Sequence, residues 1–350
     1  MAGSVSHVPV PRSLVKRLFQ LLILLPLFTL GMVAAWGWWW VGQPLGMPAD
    51  ISAQNPLELV IEPGTSARGT ADAVTRAGVQ TPPDLLFVWF RLSGQARNIK
   101  AGSYEIAPGA TPRSLLNKLV RGEQALRSLT LLEGWNVREV LKAVRSSPDL
   151  TQDIEGLGHA ELMAHIGYPG RHPEGRFFPD TYRVVKNATA SSVLRQAAKA
   201  MEQRLAEAWA QRAPDALVRT PEEALILASI IEKETGVDSD RALVAGVFNN
   251  RLRIGMRLQT DPTVIYGLGE RFDGNLRKVD LLSDTPYNTY TRAGLPPTPI
   301  SMPGWASLLA ALQPAATPAL YFVARGDGSS QFSATLAEHN AAVRRYQLQR

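Results

Sequence analysis

The sequence contains no cysteine, which excludes disulfides, thiolate catalysis and cysteine-ligated zinc. Histidine is scarce as well: five are scattered along 350 residues with no HxxxH spacing, so no metal site is expected; no organic cofactor is called for either. Acidic residues are missing before Asp50, and no charge of either sign falls between residues 18 and 40. The net charge is only +6, and Arg12, Lys16 and Arg17 ahead of that uncharged run supply half of it. So mild and local an excess gives no case for nucleic-acid binding.

The uncharged run, LFQLLILLPLFTLGMVAAWGWWW over residues 18–40, is long enough to cross a hydrocarbon core of about 30 Å. It predicts a single N-terminal transmembrane helix behind a cytoplasmic basic tail, residues 1–17. Trp36, Trp38, Trp39 and Trp40 fall where an aromatic belt would meet the outer interface. A cleaved signal peptide is the rival, but the run is too long and the tryptophans are poor neighbours for a small-residue cleavage site. Pro26 is compatible with insertion. Everything after about residue 41 is then expected outside the cytoplasm. Residues 41–56, rich in Gly, Pro and small polar side chains, read as a linker.

The remainder has room for two or three compact units and reads as α+β. Three stretches, LVIEPGT (59–65), YEIAPGAT (104–111) and LTLLEGW (129–135), each pair a short apolar run with a glycine turn and an amphipathic segment. Helices are expected over 71–77, 111–120 and 137–144. Residues 57–145 therefore form a small α+β domain, and 146–350 a larger mixed α+β one. In EGRFFPDTY (174–182), Asp180 or Thr181 could cap a helix through 193–209, and Glu174 and Asp180 read as structural residues or as lining of a groove. A strand is expected over 320–324, a hairpin turn over 325–330, and a terminal helix over 335–347 carrying His339 and Asn340. A lone histidine there reads as structural.

The larger domain is organised around residues 221–266. Thr220 is an N-cap, Pro221 suits the first helical position, and Glu222 and Glu223 face the positive end of the dipole. Residues 224–231 are apolar on nearly every face, so the helix must be buried on most sides. Into this run come Glu232 and Glu234, about 200° apart around the helix axis. Glu234 falls among Leu227, Ile230 and Ile231, on the most apolar stripe. A desolvated carboxyl has a raised pKa, as a general acid near neutral pH requires, which favours Glu234 over Glu232. The competing expectation is that both glutamates pair with Lys233, Arg241 or Arg251. Beyond them, Gln259, Thr260, Asp261, Tyr266, Tyr287, Asn288, Thr289 and Tyr290 supply the amides, hydroxyls and rings that hold a sugar. The proline-rich stretch 287–304 reads as an irregular wall of a cleft.

ILASIIEKET (226–235), VFNNRLRIGMRLQTDPTVIYGLG (247–269), YNTYTRAGLPPTPISMPG (287–304) and YFVARGDG (321–328), in this order, resemble the endolytic murein transglycosylases, the YceG-like or MltG family. The likeness covers essentially the whole chain, including the N-terminal apolar run. It implies cleavage of peptidoglycan glycan strands between MurNAc and GlcNAc by an inner-membrane enzyme with one catalytic glutamate, carried here onto Glu234, with Glu232 as second choice. It also implies a LysM-like small domain that binds glycan, endolytic action on nascent strands that limits their length, and work beside cell-wall synthases, the penicillin-binding proteins. One carboxylate suffices for a lyase of this kind, because the muramoyl C6 hydroxyl closes a 1,6-anhydro ring. Ordinary glycosidases need two. A lysozyme-like hydrolase with Asp261 as second carboxylate, and a tethered glycan-binding scaffold without chemistry, remain the alternatives. The Asp261-Pro262 pair also reads as a local cap, and the small domain also reads as packing alone.

Overall fold

The computed structural model describes residues 12–348; the start of the expected basic tail and the last two residues lie outside the described residues. The chain divides into two compact units, Met1–Ala125 and Leu126–Arg350.

The first unit begins with one continuous helix, Arg12–Trp40. Most of its described side chains are exposed and apolar, among them Leu24, Leu27, Phe28 and Leu30, while Trp40 at its end is half-buried. Among the described residues no helix is long and apolar enough to cross a membrane; the expected span also takes in residues 18–21 and 23, whose side chains lie outside the described set. Residues 41–56 do not behave as a free tether. Val41 and Leu45 are 2% and 6% exposed, and the Leu45 N–H donates to the Ala110 carbonyl at 2.7 Å. Their apolar side chains have a core to enter, and composition alone concealed it.

That core is built on two antiparallel strands, Leu57–Ile61 and Gly102–Ile106. Alternation sends Leu57, Leu59 and Ile61 inward with Tyr104 and Ile106, against Leu86, Phe90, Leu115 and Leu119. The helix Ala67–Arg76 starts where Ser66 accepts from the Gly69 N–H, and Pro112–Arg121 starts at a reciprocal Thr111–Ser114 capping box. Between them Pro83–Leu92 is an additional helix that the sequence reading did not assign.

In the second unit, strand Leu126–Thr130 pairs antiparallel with Thr181–Val185. The helix Val137–Arg145 turns Val137, Val140, Leu141 and Val144 toward Val193, Leu194 and Ala197 of the long helix Ala190–Trp209. The third strand-turn-helix stretch therefore belongs with the larger unit, and the division falls at 125/126 rather than at 145/146. Thr189, not Asp180 or Thr181, caps the long helix, its hydroxyl accepting from the Ser192 N–H. Thr181 lies instead in the paired strand.

The helix Pro221–Glu234 is the axis of the main core. Every residue from Ala224 to Ile231 is buried, packed by Ala190–Trp209, Arg241–Arg253 and Trp305–Leu312. Burial of each Leu or Ile here contributes about 1.5–3 kcal/mol, which holds the helix end rigid without help from its polar residues. Gly246 of Arg241–Arg253 lets the segment after Trp305–Leu312 come close, since a Cβ there would lie 2.4 Å from the Ala315 carbonyl oxygen. The short helix Asp261–Leu268, the irregular stretch through residues 287–304, the antiparallel hairpin Tyr321–Ala324 with Ser330–Ser333, and the last helix, Leu336–Tyr346, complete the unit.

Candidate active site

Glu234 is the last residue of the buried helix, where the chain leaves the core. Its side chain lines a cavity of about 650 Å³ together with Gln259, Asp261 and Tyr290 on one side and Tyr321, His339 and Asn340 on the other. Burial pushes the Glu234 carboxyl above the usual carboxylate range. The negative charge of Asp261 adds to that rise, while a hydrogen bond from the Thr260 hydroxyl and the Arg251 guanidinium oppose it.

Thr260 is itself fixed by buried neighbours. Its hydroxyl donates to Glu234 Oε1, its N–H donates to Thr289 Oγ1 at 3.0 Å, and its carbonyl accepts from Thr263 Oγ1 at 2.8 Å. Thr263 and Thr289 share a further hydroxyl contact at 2.9 Å. All three threonines are buried. Next to them Gln259 has a φ of 48°, the left-handed region that non-glycine residues seldom adopt, held by its N–H donating to the Thr289 carbonyl. That conformation places its amide in the cleft wall. Asp261 opens a helix and accepts from the Tyr290 hydroxyl at 2.5 Å.

The far wall was not legible as a site. Arg251 is buried; its Nε and Nη1 donate to the Leu320 and Leu258 carbonyls at 2.6 Å each, and its guanidinium lies 5.3 Å from the Tyr321 ring centre. The sequence offered it only as an ion-pair partner for a glutamate. His339 stacks on the same tyrosine, ring centres 5.2 Å apart. Burial and the Arg251 charge lower its pKa, which keeps the imidazole neutral at pH 7, and its Nδ1 is buried without a hydrogen-bond partner.

Of the other residues expected to hold a sugar, the structure assigns several elsewhere. Asn288 is fully buried, donating to the Leu281 and Ser283 carbonyls at 3.1 and 2.7 Å and accepting from the Tyr290 N–H at 2.8 Å. It shapes the loop that presents Tyr290 and does not reach the cleft. Thr260 and Thr289 act through Glu234. Tyr287 packs edge-on against Tyr266, 4.9 Å between ring centres, and its hydroxyl meets Thr298 Oγ1 at 2.9 Å. Tyr266 borders a separate cavity of about 400 Å³ and hydrogen-bonds Glu174.

Glu232 points away from the main cleft, as two helical residues' separation requires. Its side chain is 8% exposed, 3.5 Å from Arg241 Nη1, and its Oε2 accepts from the Gly304 N–H at 2.9 Å. Arg241 also holds Asp238 at 2.7 Å and donates to Ser307 Oγ. This is the ion pairing that the sequence offered as an alternative for both glutamates, realised for one of them. Glu174 is fully buried; both of its oxygens accept from the Val137 N–H, at 3.0 and 3.1 Å, and burial pushes its pKa up to about 7. Among the described residues no cluster of side chains is arranged to hold a metal ion.

Comparison with known proteins adds independent weight. The model of the YceG-like family matches residues 59–345. An endolytic murein transglycosylase of Bacillus subtilis is 30% identical over 87% of this chain and 89% of its own length. One from Streptococcus pneumoniae is 26% identical over 79% of this chain, which spans only 56% of that protein. The crystal structure of a putative YceG-like protein from Listeria monocytogenes is similar at a TM-score of 0.52 and 30% identity, covering 81% of this chain and 98% of the other. Matched by the family model over residues 59–345, well over half of its length, this chain belongs to the YceG-like family.

Proposed function

We propose that this chain is a lytic transglycosylase that cuts peptidoglycan glycan strands between MurNAc and GlcNAc and leaves 1,6-anhydro-MurNAc ends. The observation that carries this reading is Glu234: a single carboxyl whose pKa burial raises, held by one hydroxyl, in an open cleft lined by tyrosines and amides. The names of the related proteins support it. Neutral Glu234 protonates the glycosidic oxygen as the bond to the muramoyl C1 breaks. The resulting carboxylate takes the proton from the C6 hydroxyl, whose oxygen bonds to C1 and closes the ring. Gln259 and Tyr290 hold the sugar, and Asp261 supplies negative charge beside the developing oxocarbenium. The hydroxyl outcompetes water because it is already in place.

The names of the related proteins support internal cutting of nascent strands, which would limit glycan length. The uncharged run at residues 18–40 behind basic residues supports a single-pass inner-membrane anchor, with the N-terminus cytoplasmic, the catalytic domain periplasmic, and cell-wall synthases as neighbours. The small unit, residues 57–125 on the observed division, is the LysM-like glycan-binding part. Mass spectrometry of products from purified strands tests the chemistry: anhydro ends are expected. One observation favours a second reading, because Asp261 lines the same cleft as Glu234 and could serve a hydrolase as base. Reducing ends as the main product would select it.

A further inference from the structure

The helix Val137–Arg145 carries Arg138, Lys142 and Arg145, spaced i, i+4 and i+7 and therefore on one face. Like charges so placed repel one another. Among the described residues no ion pair joins any of the three to a carboxylate, and the buried Glu174 acts on Arg138 only at longer range. The face borders two cavities. One, of about 640 Å³, is lined by all three cations and His159 over Leu141 and Leu157, with Glu270 as its one carboxylate. The other, of about 400 Å³, is lined by Arg138, Lys233, Asn136 and Pro262. Arg138 belongs to both, so they form one basic groove.

Sequence neighbours line the catalytic cleft and the groove. Lys233 borders it while its neighbour Glu234 borders the cleft, and Pro262 borders it while Asp261 borders the cleft. From Arg138 to Arg145 the helix advances about 10 Å, the length of about three extended peptide residues. A muramoyl residue bound beside Glu234 carries a peptide on its lactyl ether, with free carboxylates at short intervals and alanine methyls between them.

We infer that this groove binds the peptide stem of the substrate strand, with Arg138, Lys142 and Arg145 taking its carboxylates and Leu141 and Leu157 its methyls. The inference rests on the glycan-cleaving role proposed above and adds a preference to it: strands that still carry acidic stems are cut better than stripped ones.

The test compares the full-length wild-type protein with an Arg138→Ala/Lys142→Ala double variant on three substrates: strands with free-acid stems, strands whose stem carboxylates are amidated, and strands stripped of peptide by an amidase. On free-acid stems kcat/KM of the double variant should fall about tenfold, through KM and not kcat. On stripped strands the two proteins should match, and amidation should bring the wild type to the level of the variant. An equal fall on all three substrates, or no fall on any, overturns the inference. Calorimetry of a disaccharide-tetrapeptide binding to the Glu234→Gln protein separates this from the catalytic reading. Binding that weakens about tenfold with the added double change supports the groove even if no strand is cut, and unchanged binding removes it.

Discussion

Glu234→Gln is the most direct perturbation of the proposed chemistry. The amide oxygen can still accept from Thr260, and the neutral side chain avoids the burial cost that lifts the carboxyl's pKa. The variant should therefore unfold at the wild-type temperature or slightly above it. What it lacks is a transferable proton. General acid–base assistance contributes about 10²–10⁴-fold, and this one group acts in both halves of the reaction. The expected loss in kcat is about 10³–10⁴, or about 4–5.5 kcal/mol of barrier at 1.36 kcal/mol per tenfold. Binding of an uncleaved glycan should change by less than a few-fold, because Gln259 and Tyr290 are untouched. The assay is chromatographic and mass-spectrometric quantification of products from purified strands, beside thermal unfolding of both proteins. A variant that keeps more than a tenth of the activity, or a Glu232→Gln variant that loses more than it does, would refute the assignment.

Other perturbations separate the parts of the site. Thr260→Val removes the donor that favours charged Glu234, so the alkaline limb of the kcat/KM profile, where the acid deprotonates, should move to higher pH; an unmoved limb would detach Thr260 from the acid. Glu232→Gln keeps an acceptor for the Gly304 N–H but gives up the Arg241 charge; Asp238 and Ser307 still hold that arginine, so a stability loss of about 1–2 kcal/mol is expected, with cleavage within a few-fold of wild type. Glu174 binds its proton more tightly folded, with a pKa of about 7, than its ordinary 4.5. Wild-type stability should thus be greatest below about pH 4.5 as far as this group is concerned, decline by up to about 3 kcal/mol as pH rises to about 7, and then level off. Urea unfolding of Glu174→Gln should lack that slope, and an identical slope would assign it to other groups.

How much of this was legible in the sequence follows from what is local. Caps and periodicity located the buried helix, the terminal hairpin and the last helix, because each depends on residues a few positions apart. Which faces meet was not legible. The strand Leu126–Thr130 looks like the two strand-turn units before it, yet its partner is Thr181–Val185, some fifty positions later, and only that pairing moves the unit boundary. Asn288 has the chemistry of a sugar ligand, but an amide in a loop satisfies backbone groups equally well, and burial alone tells the two apart. The wall made by Tyr321 and His339 lay beyond reach for the same reason: stacking on a tyrosine beside Arg251 is a tertiary fact.

The two glutamates show how a helix end sorts identical side chains. The helix is apolar all round, so its stripe does not by itself single out Glu234; what differs is the partner each side chain finds on leaving it. Glu232 meets a guanidinium and a backbone N–H, groups that offer charge and donors to an anion and tie the helix end to the loop at Gly304. Glu234 is desolvated by burial and lies beside the negative Asp261, which favour the protonated form and outweigh the one hydroxyl it accepts from and the Arg251 charge. The threonine cluster makes that single contact dependable. With the Thr260 N–H given to Thr289 and its carbonyl engaged by Thr263, the Thr260 hydroxyl is held on Oε1, which in the proposed mechanism leaves Oε2 to carry the proton. A mobile threonine would let the carboxyl turn, and the distance over which a proton must pass would vary with it. In the proposed mechanism, three buried hydroxyls, far less conspicuous in the sequence than the tyrosines around them, thus set the aim of Glu234.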